Sequence, residues 1–255
     1  MQPTRNCQHK WEVKGNYYIC SNCKKQTLYL RETNKEGVRI GTKRDGKKYL
    51  VRTDRSRYFM PDEWNLFIES IRKQNKPFFE FMVNTGTRID EATHVRPKDF
   101  DFDRNTVRLW KTKTKATKGE TVGQPRTISI SSQLSKTMKK LSKDKNPESY
   151  LFFPKEPVGK VILNKKIQAV NQMIKRKVRE VEIEDWYNFA SHNIRKTHGM
   201  YLKALGVGFE EICLRLAHDA NTYLKHYGSA SIFTEKDMRG IREILGDLYV
   251  RDRKY

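Results

Sequence analysis

Acidic residues are scarce in this chain relative to basic ones. Across 255 residues, 30 Asp and Glu stand against 52 Lys and Arg, a formal charge of +22. An excess of one sign that large repels itself when the chain compacts, so a polyanionic partner is its natural explanation. Long apolar runs are also missing: no stretch reaches the ~18 consecutive residues a spanning helix needs. The basic residues are scattered along the whole chain rather than gathered on one amphipathic helix. That spread favours nucleic acid over an anionic membrane surface. Residues Met1 to Lys10 contain no signal-peptide core. Cysteine is sparse too, with three of four in the first 23 residues and Cys213 alone far downstream. This excludes a disulfide framework and points to a reducing, cytoplasmic compartment. Neither a P-loop nor a carboxylate metal cluster is present. Hydrophobic content is a low 36%, yet 12 Phe and 12 Tyr can still build a core. The length suits one good-sized domain and a small appendage.

Three segments follow from the texture of the chain. Residues 1–30 hold Cys7, His9, Cys20 and Cys23 around a hairpin-like stretch, Trp11 to Ile19, that turns at Gly15-Asn16. Residues 31–57 are Gly- and Lys-rich without helical period and read as a basic linker or irregular strands. From Tyr58 to the end the chain reads as one mainly helical domain. Pro61-Asp62-Glu63 starts a helix, with Trp64, Phe67, Ile68 and Ile71 on one face. Thr106–Trp110 and Arg126–Ser131 alternate like strands of one small sheet, separated by a Lys/Thr/Gly loop. Helical periods then cover Leu134 to Leu141, Ile167 to Val178, Ile194 to Leu205, Phe209 to Ala217 and Thr234 to Leu248. The last carries an apolar stripe, Met238, Ile241, Leu245 and Leu248, suited to packing on its own domain or on a neighbouring copy. The fold class is α+β, mainly α: a helical domain with a small antiparallel sheet, preceded by a small β module.

Four stretches carry chemistry. In Thr85-Gly86-Thr87-Arg88 an arginine follows a glycine turn at a helix start, where the helix dipole and a planar cation both favour phosphate. Glu91, one turn on, can hold that guanidinium. In Ser191-His192-Asn193-Ile194-Arg195, His192 and Arg195 share a helix face. Leu216-Ala217-His218 is followed nine residues later by Tyr227. Lys111, Lys113 and Lys115 lie in the loop between the strands. Alone, each is ordinary: such lysines are usually solvated and such tyrosines usually pack.

In this order and spacing the stretches resemble the tyrosine recombinase (phage integrase) family, whose pattern is Arg, hairpin Lys, His-x-x-Arg, His, then Tyr. The resemblance covers roughly Tyr58 to Leu248. It implies catalytic roles for Arg88, Lys113, His192, Arg195, His218 and Tyr227, with Lys111 and Lys115 as alternatives for the hairpin lysine. It implies cleavage and rejoining of double-stranded DNA through a covalent 3′-phosphotyrosine, needing no cofactor for catalysis. Four active sites on two duplexes further imply a homotetramer assembled on DNA, from a protein able to be a monomer in solution. The expected setting is the nucleoid, and the expected task is mobile-element or viral genome integration. Two departures stand out. Ala217 occupies the family's usual Gly before the second His. Only 57 residues precede Tyr58, too few for the family's helical DNA-gripping domain beside a Cys/His module. Other readings are a type IB topoisomerase-like activity and a catalytically silent DNA-binding accessory protein.

Cys7, His9, Cys20 and Cys23 form Cys-x-His and Cys-x2-Cys halves, a tetrahedral set for structural zinc. A module this small buries too little apolar area to fold unaided, so metal would supply the missing stability. The module resembles a zinc ribbon. Lys10, Lys14, Lys24 and Lys25 make DNA contact one role for it and protein–protein contact another.

Overall fold

The structure is a computed structural model that describes residues 10–14, 17–22, 26–27, 30–33, 39–42, 46, 48–50, 57–110, 125–157, 164–228 and 232–249. The chain divides into two compact units, Met1–Arg55 and Ser56–Tyr255. Cys7, His9, Cys23, the Gly15-Asn16 turn and Lys111, Lys113 and Lys115 lie outside the described residues.

The first unit holds two three-stranded antiparallel sheets. Strands β1 (Trp11–Lys14), β2 (Tyr17–Cys20) and β3 (Gln26–Thr27) form one, with Trp11 opposite Cys20. Cys20 is buried at the end of β2 and leads straight into a turn at Ser21–Asn22, whose Ser21 N–H donates to the Lys10 carbonyl at 2.9 Å. Strands β4 (Leu30–Thr33), β5 (Arg39–Thr42) and β6 (Lys48–Leu50) form the other. The stretch expected to be a basic linker or irregular strands therefore contains a regular sheet. Its registers are continuous, Leu30 opposite Thr42 and Thr42 opposite Lys48, so backbone pairing rather than apolar alternation organises it.

The second unit is helical around one core. Helix α1 (Pro61–Ser70) begins with proline at its first position, and the Met60 N–H donates to Glu63 Oε2 at 2.8 Å. It buries Trp64 and Phe67 in an aromatic cluster with Phe59, Phe79 and Phe189. Helix α2 (Lys76–Thr85) buries Phe78, Phe79, Phe81, Met82 and Val83, which takes in nearly its whole circumference. It stops at Gly86, where φ is +64°, a value that suits glycine. An added Cβ there would meet His198 at 2.4 Å and Leu216 at 2.6 Å, so the site needs glycine on steric grounds as well.

After the short helix α3 (Ile89–Thr93), strands β7 (Phe100–Asp101), β8 (Thr106–Leu109) and β9 (Arg126–Ser129) form an antiparallel sheet in that order. Val107 pairs with Ile128 on the buried face. Helices α4 (Ser132–Ser142) and α5 (Asn164–Glu180) follow. Helix α6 (Ser191–Ala204) is buried from Asn193 through Leu202 and packs against α2, which makes it the central helix of the unit. Helices α7 (Phe209–Leu216), α8 (Ala220–Tyr227) and α9 (Glu235–Leu245) complete the fold. Ile241 and Leu245 of α9 lie fully buried in this domain's own core, against α1 and α2. Among the described residues, no helix is long and apolar enough to cross a membrane.

Candidate active site

Chain segments far apart in sequence meet around the end of α7. Arg88 is the N-cap of α3; its N–H donates to Glu91 Oε2 at 2.8 Å and its Nη1 to Oε1 at 3.1 Å. The glutamate therefore orients the guanidinium, as the spacing suggests. Arg195, from the middle of α6, is fully buried. Its Nη1 donates to the Gly86 carbonyl at 2.8 Å, and its Nη2 donates to the Leu216 carbonyl and to His218 Nε2, the latter at 3.0 Å. Burial and the nearby Arg88 charge lower the Arg195 pKa to about 9, which still leaves it cationic at neutral pH.

His218 follows Ala217, whose left-handed backbone (φ 45°, ψ 56°) closes α7 and turns the chain into α8. Burial, then Arg195 and Arg88, lower the His218 pKa to about 3, so the ring is neutral. Because Nε2 accepts from Arg195, the proton resides on Nδ1, which is buried and has no hydrogen-bond partner among the described residues. Tyr227 is the last residue of α8 and only 1% exposed. Its ring lies 6.0 Å from that of His218 and 5.3 Å from that of Tyr223, centroid to centroid. It also rests against Gly199, where an added Cβ would come within 2.5 Å of Tyr227 Cε1. Burial pushes the phenol up to about 12, while the charges of Arg195 and Arg88 pull the other way.

His192 sits at the exposed start of α6, its ring 6.4 Å from that of His226 and within electrostatic reach of His218. Five of the six residues picked out for catalysis, Arg88, His192, Arg195, His218 and Tyr227, thus surround one locus. The sixth, Lys113, lies outside the described residues.

Sequence reasoning missed three members of the surrounding network. Arg126 of β9 grips Glu91 with Nη1 and Nη2 at 2.8 and 2.9 Å. Arg215 is buried and donates to His198 Nε2, the Asn84 carbonyl and the Ser129 carbonyl at 2.9, 2.9 and 2.7 Å. His198 is fully buried; burial, then Arg215, hold it neutral. Glu91 sits in the middle. Burial opposes its ionisation, but bonding to Arg126 and the charges of Arg126 and Arg195 prevail, and its pKa is lowered. The chemical content of the site is a cluster of fixed cations, a neutral imidazole with a spare donor, and a phenol.

Comparison with known proteins supplies a family and a fold. The profile of the phage integrase family matches residues 57–231. The fold is similar to that of the Tn1549 transposon integrase in complex with transposon right end DNA, with a TM-score of 0.56 at 17% identity over 76% of this chain and 67% of that one. It is also similar to the XerA recombinase, with a TM-score of 0.50 at 17% identity over 73% and 64%. The chain thus spans about two thirds of the length of the solved recombinases it matches. No curated protein sequence matches it significantly.

Proposed function

The chain belongs to the phage integrase family of tyrosine recombinases, and from that premise we propose that it cuts and rejoins double-stranded DNA at specific sites, with Tyr227 as nucleophile. The observation that carries this reading is the convergence of Arg88, Arg195, His218 and Tyr227 on one point, with Arg195 bonded to His218 at 3.0 Å. In the proposed step Tyr227 Oη attacks the phosphorus and the bond to the 5′-oxygen breaks. The phenol proton passes to His192, and the departing 5′-oxygen takes a proton from Lys113, the residue that the family pattern places there. Arg88 and Arg195 stabilise the charge that builds on the nonbridging oxygens, and His218, in the role that the family pattern gives it, adds a donor. The new 3′-phosphotyrosine retains the bond energy, so the reverse attack reseals the strand.

A phenol with its pKa near 12 is unreactive at neutral pH unless cations and a base act on it together. In this reading Arg88 and Arg195 are those cations and His192 is that base. We assign the substrate as DNA of a mobile element, acted on at the nucleoid by a tetramer assembled on two duplexes. The charge of +22 supports a polyanionic partner.

The test is to incubate the protein with nicked, labelled candidate attachment-site DNA in EDTA and look for an adduct that survives denaturing electrophoresis. Wild type should form it and Tyr227→Phe should not. Tight DNA binding with no adduct on any substrate would favour the silent accessory instead.

For the first unit, we propose a structural zinc held by Cys7, His9, Cys20 and Cys23, a ligand set of the right chemistry and number for a tetrahedral site. Cys20 is buried and enters a tight turn that leads to Cys23. Such a metal would be coordinatively closed and supply folding stability only. One equivalent of zinc per chain, lost in Cys20→Ser, is the expected result; a metal-free wild type would sink the idea.

A further inference from the structure

Helix α7 ends in three successive carbonyls, and each meets a different arginine. Arg126 Nε donates to the Arg215 carbonyl at 3.1 Å, Arg195 Nη2 to the Leu216 carbonyl, and Arg88 Nη2 to the Ala217 carbonyl at 3.5 Å. The same three arginines surround Glu91. Arg126 lies closest, at 2.8 and 2.9 Å, Arg88 is at 3.1 Å, and Arg195 Nη1 is 3.9 Å from Oε2. The carbonyl end of a helix carries partial negative charge, and Glu91 adds a full one. Together they offset the mutual repulsion of three guanidiniums.

Within this arrangement Arg126 has a distinct place. Arg88 and Arg195 belong to the catalytic pattern; Arg126 does not. It arrives from β9 and uses all three guanidinium nitrogens: two on Glu91, one on the helix end. A planar fork with fixed donors suits such bridging, and lysine cannot reproduce it. Its side chain is 12% exposed against 1% for Glu91, so it also closes the carboxylate from solvent.

We infer that Arg126 is a positioning residue for strand cleavage: it locks Glu91 to the end of α7, and that lock sets Arg88, Arg195 and His218 in place before DNA arrives. The inference rests on the recombinase reading above. Glu91 is buried, and Arg126 is the first of the influences that keep it ionised. Without Arg126, burial drives the carboxylate toward its protonated form at higher pH. A neutral Glu91 loosens Arg88 and Arg195, and Arg195 in turn releases His218 Nε2.

The test uses the full chain with Arg126→Gln and Arg126→Lys. Single-turnover adduct formation on nicked DNA is followed as a function of pH, alongside DNA affinity. Arg126→Gln should slow cleavage on the order of 100-fold, leave affinity within two-fold, and move the acid limb of the rate profile to higher pH. A merely structural role would lower thermal stability without moving that limb. A second readout needs no activity: the 15N-imidazole spectrum of the free protein should show His218 as the Nδ1–H tautomer in wild type and as a tautomer mixture in the variant. If Arg126→Gln does not fold, Arg126→Lys is read instead, with the same shift of the acid limb expected. Rates within two-fold of wild type at every pH, or a loss that follows DNA affinity alone, would overturn the proposal. If wild type forms no adduct, the recombinase reading fails, and an unchanged His218 spectrum would then overturn the positioning role independently.

Discussion

Position 217 shows how one backbone angle aims a catalytic group. Ala217 adopts φ 45°, ψ 56°, where a Cβ crowds the following carbonyl oxygen, at a cost of about 1–2 kcal/mol. The turn is what delivers His218 to Arg195, so the family's usual glycine at this place has a conformational reason. Ala217→Gly removes the strain but adds unfolded-chain entropy, and the balance should stabilise the protein by about 0.5 kcal/mol in urea unfolding, with cleavage retained. Gly199 behaves in the opposite way. Its missing Cβ makes room for the Tyr227 ring, and Gly199→Ala places a methyl 2.5 Å from Cε1. Displacing the nucleophile by about 1 Å should cost roughly 100-fold in adduct formation while DNA affinity holds. The order and spacing of Arg88, Arg195, His218 and Tyr227, matched to the family pattern, singled out residues that the fold then brings near one another. Arg126 stayed hidden because a basic residue at a strand start looks solvated; only the fold shows that it faces Glu91.

Among the elements, the helices with clear apolar period were legible and the short or evenly buried ones were not. Helices α1, α4 and α5 carry one apolar face each and coincide with their sequence patterns. Strand β7 is two residues long, too short to alternate, and β4 to β6 lack apolar alternation altogether. Helix α8 buries only Tyr223 and Tyr227, and its start is set instead by Asp219, whose Oδ1 accepts from the Thr222 N–H at 2.7 Å. The apolar stripe of α9 admitted two destinations, and the fold shows it within its own domain. Ile241→Ala should therefore destabilise the isolated protein by about 2–5 kcal/mol in chemical unfolding. A stripe reserved for a neighbouring copy would show no such loss.

On the scale of the whole molecule, the protein holds a buried and a half-buried neutral histidine within a strongly basic fold. His198 is lowered well below its usual range and His218 to about 3, both by burial first and arginine charge second. Each takes up a proton on unfolding once the pH drops below the unfolded value near 6.5. Stability present above that value is thus lost as pH falls from about 6.5 toward 3. Denaturant midpoints at pH 7, 6 and 5 should decline in that order, and His218→Gln should flatten the decline. A pH-independent midpoint would contradict the buried neutral state. The seclusion of Tyr227 has a further consequence of a chemical kind. With 1% of its surface open to water, it is shielded from small electrophiles that nitrate or iodinate exposed phenols. The rate at which Tyr227 alone acquires such a label therefore measures how often the nucleophile leaves its nest, and following that rate with and without DNA turns the nucleophile's own side chain into the clock of its release.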